Sequence, residues 1–157
     1  MADSEAVPDI DERVRRLEAR AAITDLIHRY ALHIRRGEPE HCAALFTQDA
    51  GFAVRDADGP DAGDVTERAH PRGREAVMAY VTASSSHGFR VVPMIRNILV
   101  TVDGRTATAT SLMSSRTWPA GAEVFGEYRD SFREEDGRWL FAGRIFTLYR
   151  RRERAPS

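Results

Sequence analysis

Four long runs of β-forming residues fill the second half of the chain, and the short turns between them restrict the fold most. The runs are residues 89–102, 105–118, 123–134 and 138–149. The Asp-Gly pairs at 103–104 and 136–137 are typical of type I′ hairpins, the second with a slightly longer loop, and residues 119–121 form the middle turn. The runs therefore predict an antiparallel meander. Strands of this length must bend, so we expect bulges at Pro93 and Gly143.

One long amphipathic helix is predicted near the beginning of the chain. Apolar residues recur every three or four positions from Ile10 to Ile34, with arginine and glutamate between them. Asp9 or Asp11 can cap the start of this helix, and Gly37 can end it.

Shorter elements connect this helix to the meander. Residues 39–46 predict a short helix that begins with proline, residues 51–55 a strand, and residues 74–84 a third helix. Residues 56–72 form a loop rich in Asp, Gly and Pro, which either covers a site or is disordered. This order predicts an α+β fold, with three helices packed on one face of a curved, mainly antiparallel sheet. We expect one domain over all 157 residues, with an ordered core from about 10 to 150 and a frayed tail before Pro8.

Composition excludes several classes of function. All 23 basic residues are arginine, so Schiff-base chemistry on lysine and the P-loop lysine are both excluded. The formal net charge of −1 argues against a nucleic-acid partner. Cys42 is the single cysteine, which excludes an intramolecular disulfide and favours a small buried apolar residue. The five histidines lack metal-binding spacings, so we expect no metal. We also expect no cofactor, and no Gly-x-Gly-x-x-Gly motif is present.

Localisation is predicted from the absence of membrane and export signals. The first residues are acidic and lack the apolar stretch of a signal peptide. No window approaches the about 18 apolar residues of a membrane span. We therefore expect a soluble cytoplasmic protein without a membrane partner.

The order and spacing of several short segments resemble the SnoaL-like family of the nuclear-transport-factor-two-like superfamily. The similarity extends from Val14 to Arg150. It is carried by AITDLIHRYA (22–31), RGE (36–38), ALFTQDA (44–50), GREAV (73–77), GEYRDSF (126–132), DGRW (136–139) and Arg144. The resemblance implies a cone-shaped barrel wrapped by three helices around a deep apolar pocket, usually in a homodimer. It indicates no single activity, because the fold serves dehydratases, isomerases, cyclases, epoxide hydrolases and non-catalytic subunits.

One departure from the family pattern bears directly on mechanism. In dehydratase-like members, a tyrosine near the end of the first helix works with an aspartate five residues later and a histidine on the first long strand. Tyr30 matches the tyrosine, whereas Arg35 and Pro93 occupy the other two positions. The resemblance therefore implies that the usual aspartate–histidine pair is missing.

Four residues are candidates for catalysis. Tyr30 lies on the apolar helix face and is either a hydrogen-bond donor to an oxyanion or a core tyrosine. Asp130 is either a general base with a raised pKa or the partner of Arg144 in a structural ion pair. His33, three residues after Tyr30, is a spare base or a partly exposed helix residue.

Six further residues are candidates for substrate binding. Alternation along the strands places Tyr128 beside Asp130 on the inner face, and predicts that Asn97 and Met113 face inward too. Arg35 either pairs with an anionic group of the substrate or is solvated at the helix end. The remaining two candidates are Phe46 and Trp118.

Three functions are compatible with these residues. The first is a cofactor-independent lyase, isomerase or cyclase that acts by acid–base catalysis on an apolar, polycyclic or polyketide-like substrate. The second is a non-catalytic protein that binds such a molecule, and the third is a structural subunit of a ring-hydroxylating dioxygenase.

We also predict a symmetric dimer packed sheet to sheet, since the strands hold more large apolar residues than one pocket needs. Those residues are Val100, Leu112, Phe125, Phe141 and Phe146.

Overall fold

Within the residues that the structure describes, three helices and six strands, one more strand than predicted, make up an α+β fold of the predicted class. The computed structural model describes residues 8–85, 88, 90–119 and 121–150. The elements are α1 (Ile10–Arg36), α2 (Pro39–Ala43), β1 (Phe46–Ala57), β2 (Val65–Ala69), α3 (Arg74–Ser85), β3 (Arg90–Asp103), β4 (Thr106–Trp118), β5 (Glu123–Glu135) and β6 (Arg138–Tyr149). The predicted tail before Pro8, the strand start at residue 89 and the turn residue 120 lie outside the described residues.

The ends of α1 are the predicted ones. The Asp9 carboxylate accepts a hydrogen bond from the backbone N–H of Glu12 at 2.8 Å, which caps the first turn. Gly37 ends the helix with a φ of 68°, in the left-handed conformation that glycine adopts without strain. One face of the C-terminal half of α1 is buried against the sheet, whereas Leu17 in the first half is 64% exposed.

The elements between residues 39 and 72 differ from the prediction in several bounds, and β1 extends beyond the predicted residues 51–55 at both ends. The short helix α2 ends at Ala43 rather than at residue 46, because β1 already begins at Phe46 and continues to Ala57. The predicted loop contains β2, which pairs antiparallel with the end of β1. Every residue of β2 is exposed or only partly buried, so its sequence lacks the alternation of a half-buried strand.

The six strands form one open sheet in the order β2-β1-β6-β5-β4-β3. All neighbouring pairs are antiparallel except β1 and β6, which confirms a mainly antiparallel sheet. The edge strands β2 and β3 do not pair with each other, so the cone is a curved sheet and not a closed barrel. Its concave face carries α1 and α3, and the core fills the space between them.

The bulges and turns follow the prediction in part. In β6, Phe141 pairs with Phe132 and Gly143 with Ser131, so a bulge lies beside the predicted Gly143. In β3 the bulge lies between residues 96 and 99, four residues beyond the predicted Pro93. The 136–137 turn is a two-residue loop with positive φ at both positions, tighter than expected. At 103–106 only Gly104 has a positive φ, which fits a type II′ turn rather than type I′.

The apolar residues that suggested a dimer lie in two different places, the core and the convex face of the sheet. Val100 and Phe141 are buried in the core, and Phe146 packs against it. Leu112 and Phe125 lie on the convex face of the sheet, and Phe125 is 45% exposed. The convex face therefore holds fewer large apolar residues than the sequence suggested.

Candidate functional site

A cavity of about 460 Å³ opens between the C-terminal half of α1, α3 and the concave face of the sheet. Cavities of this size accommodate small organic ligands. Its walls are largely apolar and include Ile34, Phe52, Val54, Met113, Phe146 and Leu148. Alternation along the strands turns the strand residues of this group towards the cavity, and Ile34 reaches it from α1.

Two tyrosines line the buried end of this cavity. Tyr30 is 4% exposed and Tyr128 is 5% exposed, and their ring centroids lie 6.5 Å apart in an edge-on arrangement. Neither hydroxyl forms a hydrogen bond within the described part of the chain. Burial raises the pKa of Tyr128 to about 12 and raises the pKa of Tyr30 well above its usual value. Both phenols therefore remain protonated near neutral pH and can donate hydrogen bonds to a ligand.

A buried ion pair lies directly behind the two tyrosines. Arg144 donates two hydrogen bonds to the Asp130 carboxylate, each 2.8 Å long, and both side chains are fully buried. The Arg144 guanidinium carbon lies 3.8 Å from the ring centroid of Tyr128 and 4.4 Å from that of Tyr30. These cation–π contacts fix both rings from behind. Neither Arg144 nor Asp130 belongs to the cavity lining.

Asp130 occupies the geometry of the ion-pair alternative. Both of its oxygens accept from Arg144, and the carboxylate has no free path to the cavity. Burial raises the pKa of Asp130, while the adjacent Arg144 lowers it. Burial disfavours the charged form of Arg144, but Asp130 outweighs this and raises the pKa of the guanidinium.

His33 and Arg35 lie outside the cavity lining. The His33 imidazole is 2.6 Å from the Glu38 carboxylate and stacks on His41, with ring centroids 5.1 Å apart. The hydrogen bond from His33 lowers the pKa of Glu38. Arg35 is exposed, and it is the next residue, Arg36, that lines the cavity.

The predicted binding residues divide between the cavity and other positions. Tyr128 and Met113 line the cavity, as expected. The prediction that Asn97 faces inward is wrong: it is exposed at the β3 bulge with a φ of 52°, because the bulge changes the alternation there. Phe46 is buried in the core against Tyr30, and Trp118 is 73% exposed. Neither Phe46 nor Trp118 belongs to the cavity lining.

Comparison with known families identifies the fold that builds this cavity. A family model described as a SnoaL-like domain matches residues 15–145. The chain belongs to the SnoaL-like family. No curated protein matches the sequence significantly.

Solved structures share the SnoaL-like architecture at low sequence identity. An NTF2-like protein with a cystatin-like fold from Novosphingobium aromaticivorans is 25% identical, with a TM-score of 0.71 over 92% of this chain and 91% of that one. The β subunit of a proposed aromatic-ring-hydroxylating dioxygenase from the same organism is 20% identical, with a TM-score of 0.73 over 87% and 93%. A proposed scytalone dehydratase, also from that organism, is 22% identical, with a TM-score of 0.65 over 85% of each chain.

Sequence reasoning missed the arginines that line the mouth of the SnoaL-like cavity. Arg36 follows Arg35 in a solvated helix end, Arg68 lies in the predicted loop, and Arg90 begins a strand. Only their positions in the folded chain bring them together. Ser115 also lines the cavity, and its buried hydroxyl has no partner within the described residues. The sequence could have indicated this, because Ser115 lies two residues after Met113 on the same strand and therefore shares its face.

Other chemistry is limited in the described part of this SnoaL-like domain. No three His, Cys, Asp or Glu side chains there are arranged to hold a metal ion. Burial raises the pKa of the Cys42 thiol to about 12, so Cys42 is a buried apolar residue near neutral pH, as predicted. None of the helices in the described residues is long and apolar enough to cross a membrane.

Proposed function

We propose that this SnoaL-like domain binds an apolar small molecule and acts on it as a cofactor-independent lyase, isomerase or cyclase. The observation that carries the proposal is the pair of protonated phenols, Tyr30 and Tyr128, at the buried end of an apolar cavity. A substrate carbonyl placed there receives a hydrogen bond from each hydroxyl. Negative charge develops on that oxygen when the substrate loses an α-proton, and both donors stabilise this charge. Because no carboxylate or imidazole lines the cavity within the described residues, the proton passes to water that enters through the open side of the cavity.

The ion pair behind the cavity acts through the tyrosines. Arg144 contacts both rings, so the donors are already oriented before the substrate binds. Removal of one such donor typically costs about 10²–10³ in rate. Because Asp130 is bound to Arg144, we assign it to positioning rather than to proton transfer.

A bound ketone tests the role of the phenols. We would bind 1-tetralone, labelled with ¹³C at its carbonyl, and record the carbonyl resonance. Two donated hydrogen bonds should move it downfield, and Tyr30→Phe and Tyr128→Phe should each remove part of that shift. Tyr149→Phe is the matched control, because its hydroxyl bonds Glu127 away from the cavity. A bound ketone with an unshifted carbonyl would contradict the proposal.

Non-catalytic binding is the second candidate. It is favoured because no carboxylate or imidazole lines the cavity within the described residues. Exchange of the α-hydrogens of 2-tetralone in D₂O separates the two candidates. An enzyme should accelerate this exchange and lose the acceleration in Tyr30→Phe, whereas a binding protein should bind the ketone without any acceleration.

The third candidate, a dioxygenase subunit, has less support. An open cavity favours a ligand-binding role over a cone filled by its own side chains.

We further propose that the domain works as a cytoplasmic homodimer through the convex face of its sheet and takes no nucleic-acid partner. The dimer proposal is supported by Leu112 and Phe125 on that face, and the near-neutral charge supports the absence of a nucleic-acid partner.

A further inference from the structure

Three exposed arginines line the mouth of the cavity. Arg36 ends α1, Arg68 lies on β2, and Arg90 begins β3. No aspartate or glutamate belongs to the lining within the described residues. The formal net charge of the whole chain is only −1, so this positive charge is a local property of the mouth.

Nearby carboxylates neutralise this charge only in part. Arg68 lies 3.0 Å from Asp56, but Asp56 also pairs with Arg150 at 2.8 Å, so one carboxylate faces two guanidinium groups. Arg36 and Arg90 form no ion pair among the residues that the structure describes, although Arg36 lies near enough to Glu38 to help lower the pKa of that carboxyl. The mouth therefore retains positive charge and free guanidinium donors.

The cavity is thus polarised along its length. Its buried end presents two neutral phenols and its mouth presents cations, with apolar walls between them. Arg36 lies six positions after Tyr30 in α1, which corresponds to about 9 Å along the helix axis. A ligand that reaches both ends needs an apolar body between two oxygen-bearing groups.

We propose that the ligand is an apolar carboxylic acid, held with its carboxylate at the arginine mouth and its body in the cavity. This inference rests on the proposed function and narrows its substrate class. Guanidinium groups bind carboxylates with paired hydrogen bonds, and lysine, which this chain lacks, does not offer that geometry. A carboxylate at an exposed mouth keeps part of its hydration, so its binding avoids the cost of burying a charge.

Matched acids and methyl esters test the proposal. We would measure binding of 2-naphthoate, biphenyl-4-carboxylate and decanoate, and of their methyl esters, by calorimetry. At least one acid should bind about tenfold more tightly than its ester, and that preference should shrink as salt increases. Arg36→Gln combined with Arg90→Gln should remove the preference and leave ester binding unchanged. Arg29→Gln is the matched control, because Arg29 is exposed on the same helix outside the lining.

The outcomes that would contradict the proposal differ in what they overturn. Esters that bind as tightly as the acids, or a double variant that weakens acids and esters equally, would overturn the carboxylate proposal and leave the small-molecule function standing. Absence of binding by every acid and every ester would overturn the proposed function and this inference with it. Met113→Trp, which fills the cavity, should abolish binding of both kinds of probe; binding that persists would place the probes elsewhere and overturn the proposal.

Discussion

At the residue scale, Arg144 and Asp130 depend on each other more than any other pair in the described core. Each side chain is fully buried, and each supplies the charge that the other needs. Asp130→Asn would leave Arg144 buried without a compensating charge. We expect it to lower the free energy of unfolding by about 3–5 kcal/mol, measured by urea denaturation.

A paired replacement is the control for that variant. Asp130→Leu combined with Arg144→Met removes both charges, so it should recover most of the lost stability. Ligand affinity should still fall in the double variant, because the tyrosine rings lose the guanidinium behind them. An Asp130→Asn protein as stable as the original, with lower turnover, would instead support Asp130 as a general base.

The tyrosines make stability depend on alkaline pH. Burial raises the pKa of Tyr128 to about 12, whereas a phenol in the unfolded chain titrates near 10. The folded state therefore holds its proton more tightly, so the contribution is complete below about pH 10 and is lost as the pH rises towards 12. We expect the free energy of unfolding to fall over this range by up to about 1.4 kcal/mol per pH unit for each such tyrosine.

Urea denaturation at pH 9, 10 and 11 measures this dependence. Tyr128→Phe should flatten it, because phenylalanine has no proton to lose. An unchanged slope in that variant would assign the effect to other groups.

Some of these residue positions could be predicted from the sequence and others could not. Alternation along one strand placed Tyr128 and Asp130 on the buried face, because β5 continues without a bulge over those residues. The same reasoning failed for Asn97, since one bulge in β3 reverses the parity. The arginines at the mouth of the cavity come from three separate elements, so no local sequence pattern predicts that they lie together.

At the scale of elements, the close approach of β5 to β6 depends on Gly126. A Cβ atom at this position would overlap the backbone carbonyl oxygen of Thr147. We expect Gly126→Ala to lower the free energy of unfolding by about 1–3 kcal/mol, as overpacking does, measured by urea denaturation. Gly63→Ala is the control, because its Cβ would meet nothing within 4 Å and should cost no stability. Equal stability of the two variants would show that the strands can separate without cost.

The sequence predicted well those elements that have a clear hydrophobic periodicity or recognisable capping residues. The helix α1 has both a capping aspartate and a terminal glycine, and its bounds follow from them. The strand β2 has neither signal. It exists because β1 pairs with β6 on one side and leaves its other edge free, which is a property of the sheet and not of residues 65–69.

At the scale of the whole molecule, the convex face predicts self-association. We expect the purified domain to have a dimeric mass by light scattering at micromolar concentration. Phe125→Glu should yield monomers with an unchanged circular dichroism spectrum, because Phe125 is 45% exposed and adds little to the core. Leu17→Glu, at an exposed position on α1, should leave the dimer intact. A monomeric wild-type protein would refute the dimer, and dissociation by Leu17→Glu would place the interface on the helix.

The separation between the buried ion pair and the exposed mouth has a consequence for how this protein can diverge. On the proposed function, substitution of Arg144 or Asp130 would affect folding and ligand contact together, so selection for stability would oppose change there. Arg36 and Arg90 are exposed and contribute no core packing, so they can be exchanged at little cost to stability. If the proposed function holds, ligand specificity can change through substitutions at Arg36 and Arg90 while Tyr30 and Tyr128 stay the same.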